Sequence, residues 1–299
     1  MPQRDLGCGR LGIATWQLDL QPADVARNAV RELENLGYGA IWLPELIWRE
    51  SFANSAILLA ASSRIVVASG VVNIYSRTAH TTQLGWKTLA EAFPGRYLLG
   101  IGVGHAEHIG KIQKTAWAKP YQALVDYLDL IDRSRYAGAR PADEPQRVLA
   151  ALGPRMIELA RDRSAGAFTN CTPVEHTARA REVLGPDAFL AVSLVTAVAE
   201  DPARGRALGR RYVGDLSLPN YRNNLLRLGW REDQLDGPSD AVIDALVAWG
   251  DPEDIAERVR AHLDAGASHV CLNVQPTEPA GLPMAEWTRL AETMKDLVT

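Results

Sequence analysis

Histidine and carboxylate side chains that follow a buried strand are the groups best suited to moving protons, and one such cluster stands out in YLLGIGVGHAEHIGK, residues 97–111. An apolar run passes through three alternate glycines, Gly100, Gly102 and Gly104, and ends abruptly in His105, Glu107 and His108. Two readings are open. The histidines stand on the rim of an active site, or they are surface residues at a helix start, where a charge near neutral pH costs little. The same three side chains lack a further ligand at a fixed spacing, so no metal is expected. Glu45 is a second candidate acid or base, directly after the apolar AIWLP at 40–44; as a solvated loop carboxylate it would pair with Arg49 instead.

The glycines of GIGVG do not read as a dinucleotide site. That pattern needs G-x-G-x-x-G at the opening of a helix, and here the third glycine comes one place early and a histidine follows. Missing side chains at a strand end instead let a flat ligand lie against the backbone. Gly153, Pro154, Arg155 and Met156 offer the complementary feature: a strand ends in glycine, proline opens a helix, and the unpaired N–H groups of the first turn attract an anion.

These groups are positioned by a regular alternation of elements. LGIATW (11–16), AIWLP (40–44), RIVVASGVV (64–72), YLLGIGVG (97–104), RVLAALG (147–153), AGAFTN (165–170), AFLAVSLVTAV (188–198) and HVCLNV (269–274) read as eight strands. Amphipathic stretches lie between them. The first puts Val25, Ala29, Leu33 and Leu36 on one face and stops at Gly37. Thr172, Pro173 and Glu175 read as the start of a capping box, and Asp251 with Pro252 as another helix start. Eight strands alternating with helices predict one parallel sheet closed into a (β/α)8 TIM barrel covering residues 1–299 as a single domain, with a helical excursion between strands seven and eight. A doubly wound open sheet with a helical appendage is the alternative.

Chemistry in such a barrel sits at the C-terminal ends of its strands. The rim then carries Trp16, Glu45, Gly70, Val71, Asn73, Gly102, Gly104, His105, His108, the Gly153 turn and Asn170. The segment 200–249 is expected to act as a lid, and Tyr75, Trp48 and Trp117 to offer an aromatic lining.

Composition narrows the class. With 47% hydrophobic and 23% charged residues the chain can bury a large core, and a formal net charge of -4 argues against nucleic acid as the main partner. Cys8, Cys171 and Cys271 include no chelating pair and read as buried thiols in a reducing compartment. MPQRDLGCGR has no apolar core of signal-peptide length, and no stretch has the roughly 20 apolar residues that span a bilayer. A soluble cytoplasmic protein is expected.

In their order and spacing, LGYGAIWLPE, RIVVASGVVNIYSRTA with AEAFPGRYLLGIGVGH, LGPRMIELARDRSAGAFTN, and LPNYRNNLLRLGW with WGDPEDIAERVRAHLDAGASHVCLNV resemble the luciferase-like monooxygenase superfamily, and within it the oxidoreductases that use the deazaflavin coenzyme F420. The resemblance implies a barrel with the cofactor ring across the strand ends. It implies a bulge in the third strand, with a non-proline cis peptide at Gly70-Val71 backing the ring and Asn73 touching ring or tail, while the turn from Gly153 to Met156 holds the phosphate-bearing tail. It also implies an acid or histidine at the end of the second strand, where Glu45 stands. A sugar-phosphate dehydrogenase of this superfamily carries a glutamate at the position of His105, so the location carries over while the working pH would differ.

The function so implied is hydride transfer between C5 of coenzyme F420 and a small organic substrate, with Glu45 and His105 as acid and base. Two rivals remain. One is an FMN-dependent monooxygenase fed with reduced flavin by a separate reductase; the other is a barrel without chemistry that serves as a binding protein. A homodimer is also expected, with the apolar residues of 52–61 as a candidate face.

Overall fold

A computed structural model describes residues 5–110, 118–213, 216, 218–278 and 280–298, without the side chain of His108. The first half runs β1 (Leu11–Ala14), a 3-10 turn (Gln17–Leu20), α1 (Ala23–Asn35), β2 (Ala40–Leu43), α2 (Ser51–Leu59), β3 (Val66–Ser69), β4 (Val72–Asn73), α3 (Ala79–Ala92), β5 (Tyr97–Gly102), the short α4 (Ala106–His108) and α5 (Pro120–Arg133). It continues through β6 (Arg147–Ala150), α6 (Pro154–Arg163), β7 (Gly166–Asn170), α7 (Val174–Leu184) and the long β8 (Phe189–Val198). The excursion holds α8 (Pro202–Val213), α9 (Pro219–Arg227), α10 (Glu232–Leu235) and α11 (Asp240–Leu246). After it come β9 (Val247–Gly250), α12 (Pro252–Asp264), β10 (His269–Val274) and α13 (Met284–Thr293).

Every strand pairing is parallel, and the order β10-β1-β2-β3-β5-β6-β7-β8 closes on itself through β8 and β10, with Leu272 opposite both Ile13 and Leu194. The expected (β/α)8 barrel is therefore formed. Its strands are apolar without alternation because helices cover the outer face and side chains fill the inside. On α1 the buried stripe is Ala26, Ala29, Val30 and Leu33, one step round from the expected face, so Val25 is exposed. On α2, Leu58 and Leu59 face the barrel with Ser51, Asn54 and Ser55, and only small residues such as Ala53 and Ala60 are exposed.

The third barrel strand departs from the single run expected over 64–72. It is broken into β3 and β4, and the Gly70-Val71 peptide between them is cis, where the resemblance implies it. From Ala68 opposite Leu98 to Val72 opposite Ile101 this strand advances four residues while β5 advances three, which is a one-residue bulge.

β9 is a strand that the periodicity of 200–249 did not predict. β7 pairs β8 only as far as Ser193, and β10 holds the other edge to Thr196; β9 takes the edge that β7 leaves, pairing Val195 to Val198. The capping box expected of Thr172 does not form. Cys171 has φ 55, which turns the chain as it leaves β7; Pro173 becomes the N-cap without a side-chain bond, and the Thr172 hydroxyl is buried without a partner. Asp251 and Asp254 do cap α12 reciprocally.

Candidate active site

A cavity of about 1250 Å3 opens at the C-terminal ends of the barrel strands. Its floor is Trp42 of β2 stacked on Phe168 of β7, ring centroids 4.7 Å apart. Below them His269 is fixed in one tautomer: Nδ1–H donates to the Gly9 carbonyl at 2.9 Å, so Nε2 accepts the Trp42 indole N–H at 3.0 Å. Burial pushes this histidine down to about 4, against the opposing bonds from Gly9 and Cys8. Gly70 lies directly on the floor, where a Cβ would come within 3.3 Å of both Phe168 and Trp42.

The bulge forms the adjoining wall, and β5 is shaped to receive it. Added Cβ atoms would fall 2.0 Å from Ser69 O at Gly100, 2.5 Å from Val71 Cγ2 at Gly102 and 2.6 Å from Asn73 Nδ2 at Gly104. Gly102 and Gly104 line the cavity, as the expectation of bare backbone for a ligand requires, whereas Gly100 does not. Their missing side chains also make room for the neighbouring strand, so the bulge sits close against β5 and shares the cavity wall with it. Gly104, with φ +66, also needs a left-handed conformation that other residues rarely adopt.

Glu45 lines the cavity but is neither solvated nor joined to Arg49. Its Oε2 accepts the Asn73 backbone N–H at 2.9 Å and one Arg77 nitrogen at 3.1 Å, while Oε1 pairs with the other arm of the same guanidinium. Arg77 also reaches Glu50 at 2.7 Å and lies 4.9 Å over the Phe52 ring. Arg49 instead donates to the backbone carbonyls of Asp19 and Gln21. The carboxylate thus clamps the strand end that carries the bulge.

His105 stands at the mouth as the N-cap of α4. Its Nδ1 is 3.1 Å from Asn220 Oδ1, and its ring is 5.5 Å from that of Tyr221, both on α9. The excursion therefore covers the site as expected of a lid, and it contributes residues that sequence reasoning had not singled out: Arg211 and Tyr212 at the end of α8, and Asn220, Tyr221 and Arg227 on α9. A signal existed, because Asn220, Asn223 and Arg227 recur at helical spacing on one face.

Asn170 donates to the Tyr221 hydroxyl at 2.9 Å, and its Oδ1 is buried at the cavity wall without a partner. Gly153, the N-cap of α6, and Met156 line the cavity, and the Arg227 guanidinium would touch a Cβ at Gly153 at 3.4 Å. Pro154 and Arg155 do not line it; both are exposed, and Arg155 lies 4.4 Å over Tyr121. Trp16 and Trp48 line the cavity, whereas Tyr75 is turned away with its hydroxyl accepting from Ala118 N. Trp117 and the His108 side chain lie outside the described residues. Among the described residues no group of three or more His, Cys, Asp or Glu could hold a metal, and no helix is long and apolar enough to cross a membrane. All three cysteines are buried free thiols.

The sequence profile of the luciferase-like monooxygenase family matches residues 10–269. The chain belongs to this family. Among its relatives, a 5,10-methylenetetrahydromethanopterin reductase of Archaeoglobus fulgidus is 23% identical over 288 residues, which cover 81% of this chain and 86% of that one. An F420-dependent secondary alcohol dehydrogenase, solved with an F420-acetone adduct, matches with a TM-score of 0.78 at 14% identity over 97% of this chain and 99% of its own. The oxygenating constituent of 3,6-diketocamphane monooxygenase of Pseudomonas putida, solved with FMN, matches with a TM-score of 0.69 at 15% identity over 97% and 98%. At these identities the structural likenesses establish the barrel fold alone.

Proposed function

We infer that this luciferase-like protein is a coenzyme F420-dependent oxidoreductase that moves a hydride between C5 of the deazaflavin and a small organic substrate. The observation that carries the reading is the bulge at Gly70 and Val71, which lines the cavity, is seated against the side-chain-free β5 glycines and is held at Asn73 by Glu45. A flat ring fits against such a wall. Its amide-like edge would supply the N–H donor that the buried Asn170 Oδ1 lacks, and an anionic tail would meet the N-terminus of α6 beside Arg227. A relative named as a putative coenzyme F420-dependent oxidoreductase of Mycobacterium tuberculosis, 21% identical over 57% of this chain, and the alcohol dehydrogenase solved with an F420-acetone adduct support the deazaflavin.

When bound, the deazaflavin supplies the carbon that gives or takes the hydride. The chain does the rest. The floor of Trp42 and Phe168 excludes water from one side, and α9 covers the mouth. His105, held by Asn220, is the residue assigned to exchange a proton with substrate. Glu45 acts through Arg77 and Asn73 as a positioning residue rather than as the acid.

The test is a titration of the purified protein with oxidised F420 and, separately, with FMN, following ring fluorescence and thermal stability. Tight F420 binding with a rise in melting temperature is expected, because a ligand that prefers the folded state stabilises it. Preference for FMN, which the camphane monooxygenase neighbour brings into view, would replace this reading with reduced-flavin oxygenation fed by a partner reductase. If neither binds, a non-catalytic binding protein is left. Once an activity is in hand, His105→Ala should lower kcat by about 100-fold, within the range of general acid–base catalysis; an unchanged kcat would remove His105 from the chemistry.

A further inference from the structure

The rim of the cavity has two chemically different arcs. From β3 to β6 it is built of the bulge, the β5 glycines and the start of α6, the features assigned above to the cofactor. From β8 through β10 and β1 to β2 it is aromatic. Trp48, after β2, lies near-parallel to Trp16, after β1, at 6.1 Å and 16°; Trp16 in turn lies near-parallel to Tyr212, at the end of α8, at 5.8 Å and 19°. Three rings from three distant segments thus form one ledge, and all three line the cavity.

The charge on this arc is equally particular. Arg211, beside Tyr212 on α8, lines the cavity and donates to the Pro276 carbonyl at 2.6 Å, beyond the end of β10. Among the described residues no carboxylate lines the arc from β8 through β10 to β1. Among the described residues the other guanidinium lining the cavity, that of Arg227, stands at Gly153 on the opposite side. A cofactor with one anionic tail uses one such site, and 1250 Å3 leaves room for a second molecule, since ligand pockets generally run to about 300–1,000 Å3.

We propose that the substrate is a flat aromatic or heteroaromatic acid, its ring against the Trp48–Trp16–Tyr212 ledge and its anionic group paired with Arg211. Parallel rings offer a stacking surface that is worth most to a planar partner, and a guanidinium binds a carboxylate or phosphate through two parallel N–H bonds. The proposal rests on the reading that the glycine-backed arc takes the cofactor ring.

The probes are 2-naphthoate, its neutral counterpart 2-naphthol and the non-aromatic acid decanoate, titrated by tryptophan fluorescence into the full chain with and without saturating F420. Naphthoate is expected to bind at least tenfold tighter than either control, and no more weakly when F420 is present. Arg211→Gln should weaken naphthoate at least tenfold, leave naphthol within twofold, and leave F420 affinity unchanged. Trp48→Leu and, as a second variant, Tyr212→Leu should weaken both naphthyl probes at least fivefold, with an unchanged melting temperature as the check on folding. Decanoate binding as tightly as naphthoate, Arg211→Gln without effect, or naphthoate displaced by F420 would each overturn the proposal. If F420 fails to bind while the naphthoate pattern holds, the aromatic-acid site stands and the cofactor reading fails.

Discussion

Gly102 shows how much rests on one missing methyl group. An added Cβ would meet Val71 at 2.5 Å and Ala150 at 3.1 Å, so it must drive the bulge away from β5. Gly102→Ala is therefore expected to weaken F420 binding at least tenfold and to cost about 1–3 kcal/mol of stability, the range for overpacking in a tight interior. Ring-fluorescence titration and thermal melting measure the two effects. Unaltered affinity with lowered stability would mean that the bulge supports the fold and not the ring. The location of this glycine was legible from sequence, but its role was not, because the atoms that fill its empty side belong to a neighbouring strand 31 residues earlier in the chain, by the count from Val71 to Gly102.

Arg77 acts between elements. It follows β4, pairs with Glu45 beyond β2 and with Glu50 at the start of α2, and its carbonyl accepts the Tyr127 hydroxyl of α5 at 3.2 Å. Both Arg77 and Glu45 have side chains under one-tenth exposed, so Glu45 without Arg77 is a buried unpaired charge, while Arg77 without Glu45 keeps only Glu50 as its carboxylate partner among the described residues. Arg77→Lys keeps the charge but loses the two-armed fit, and should cost about 2–3 kcal/mol. The double variant Arg77→Lys/Glu45→Gln should cost less than the sum of the single changes; strict additivity in urea unfolding would sink the clamp. The alternation of apolar runs and amphipathic stretches was enough to read the barrel, because each strand is buried on both faces. β9 was missed because its few residues, VAWG, carry no periodicity of their own and become a strand only through the edge that β7 vacates. Likewise the Arg77–Glu45 pair joins residues 32 apart in sequence, a separation that no local pattern reports.

Taken whole, the molecule buries three histidines, His176, His262 and His269, and burial disfavours the charged form of each, most strongly for the last two. Burial lowers His269 to about 4, and burial followed by the charges of Arg258 and His176 lowers His262 to about 3. Both fall below the ordinary 6.5, so the unfolded chain takes up protons that the folded one refuses. Their contribution is complete above about pH 6.5 and is lost as pH falls towards 4, with a combined slope of up to about 2.7 kcal/mol per pH unit. Urea midpoints at pH 7, 5.5 and 4.5 should drop accordingly, and a flat series would contradict the neutral assignment. A different property follows from the way β9 meets β8. The excursion leaves the barrel at Ala199 and returns at Gly250, and the two ends are joined by a 2.9 Å backbone bond from Ala199 N to Gly250 O. The intervening chain is thus a handle with its two feet side by side, and the closure of the barrel through β8, β10 and β1 does not run through it. Arg211, Tyr212 and Asn220 all ride on that handle. In descent with variation, one segment can exchange the contacts that choose a substrate while the floor and the bulge are inherited unaltered.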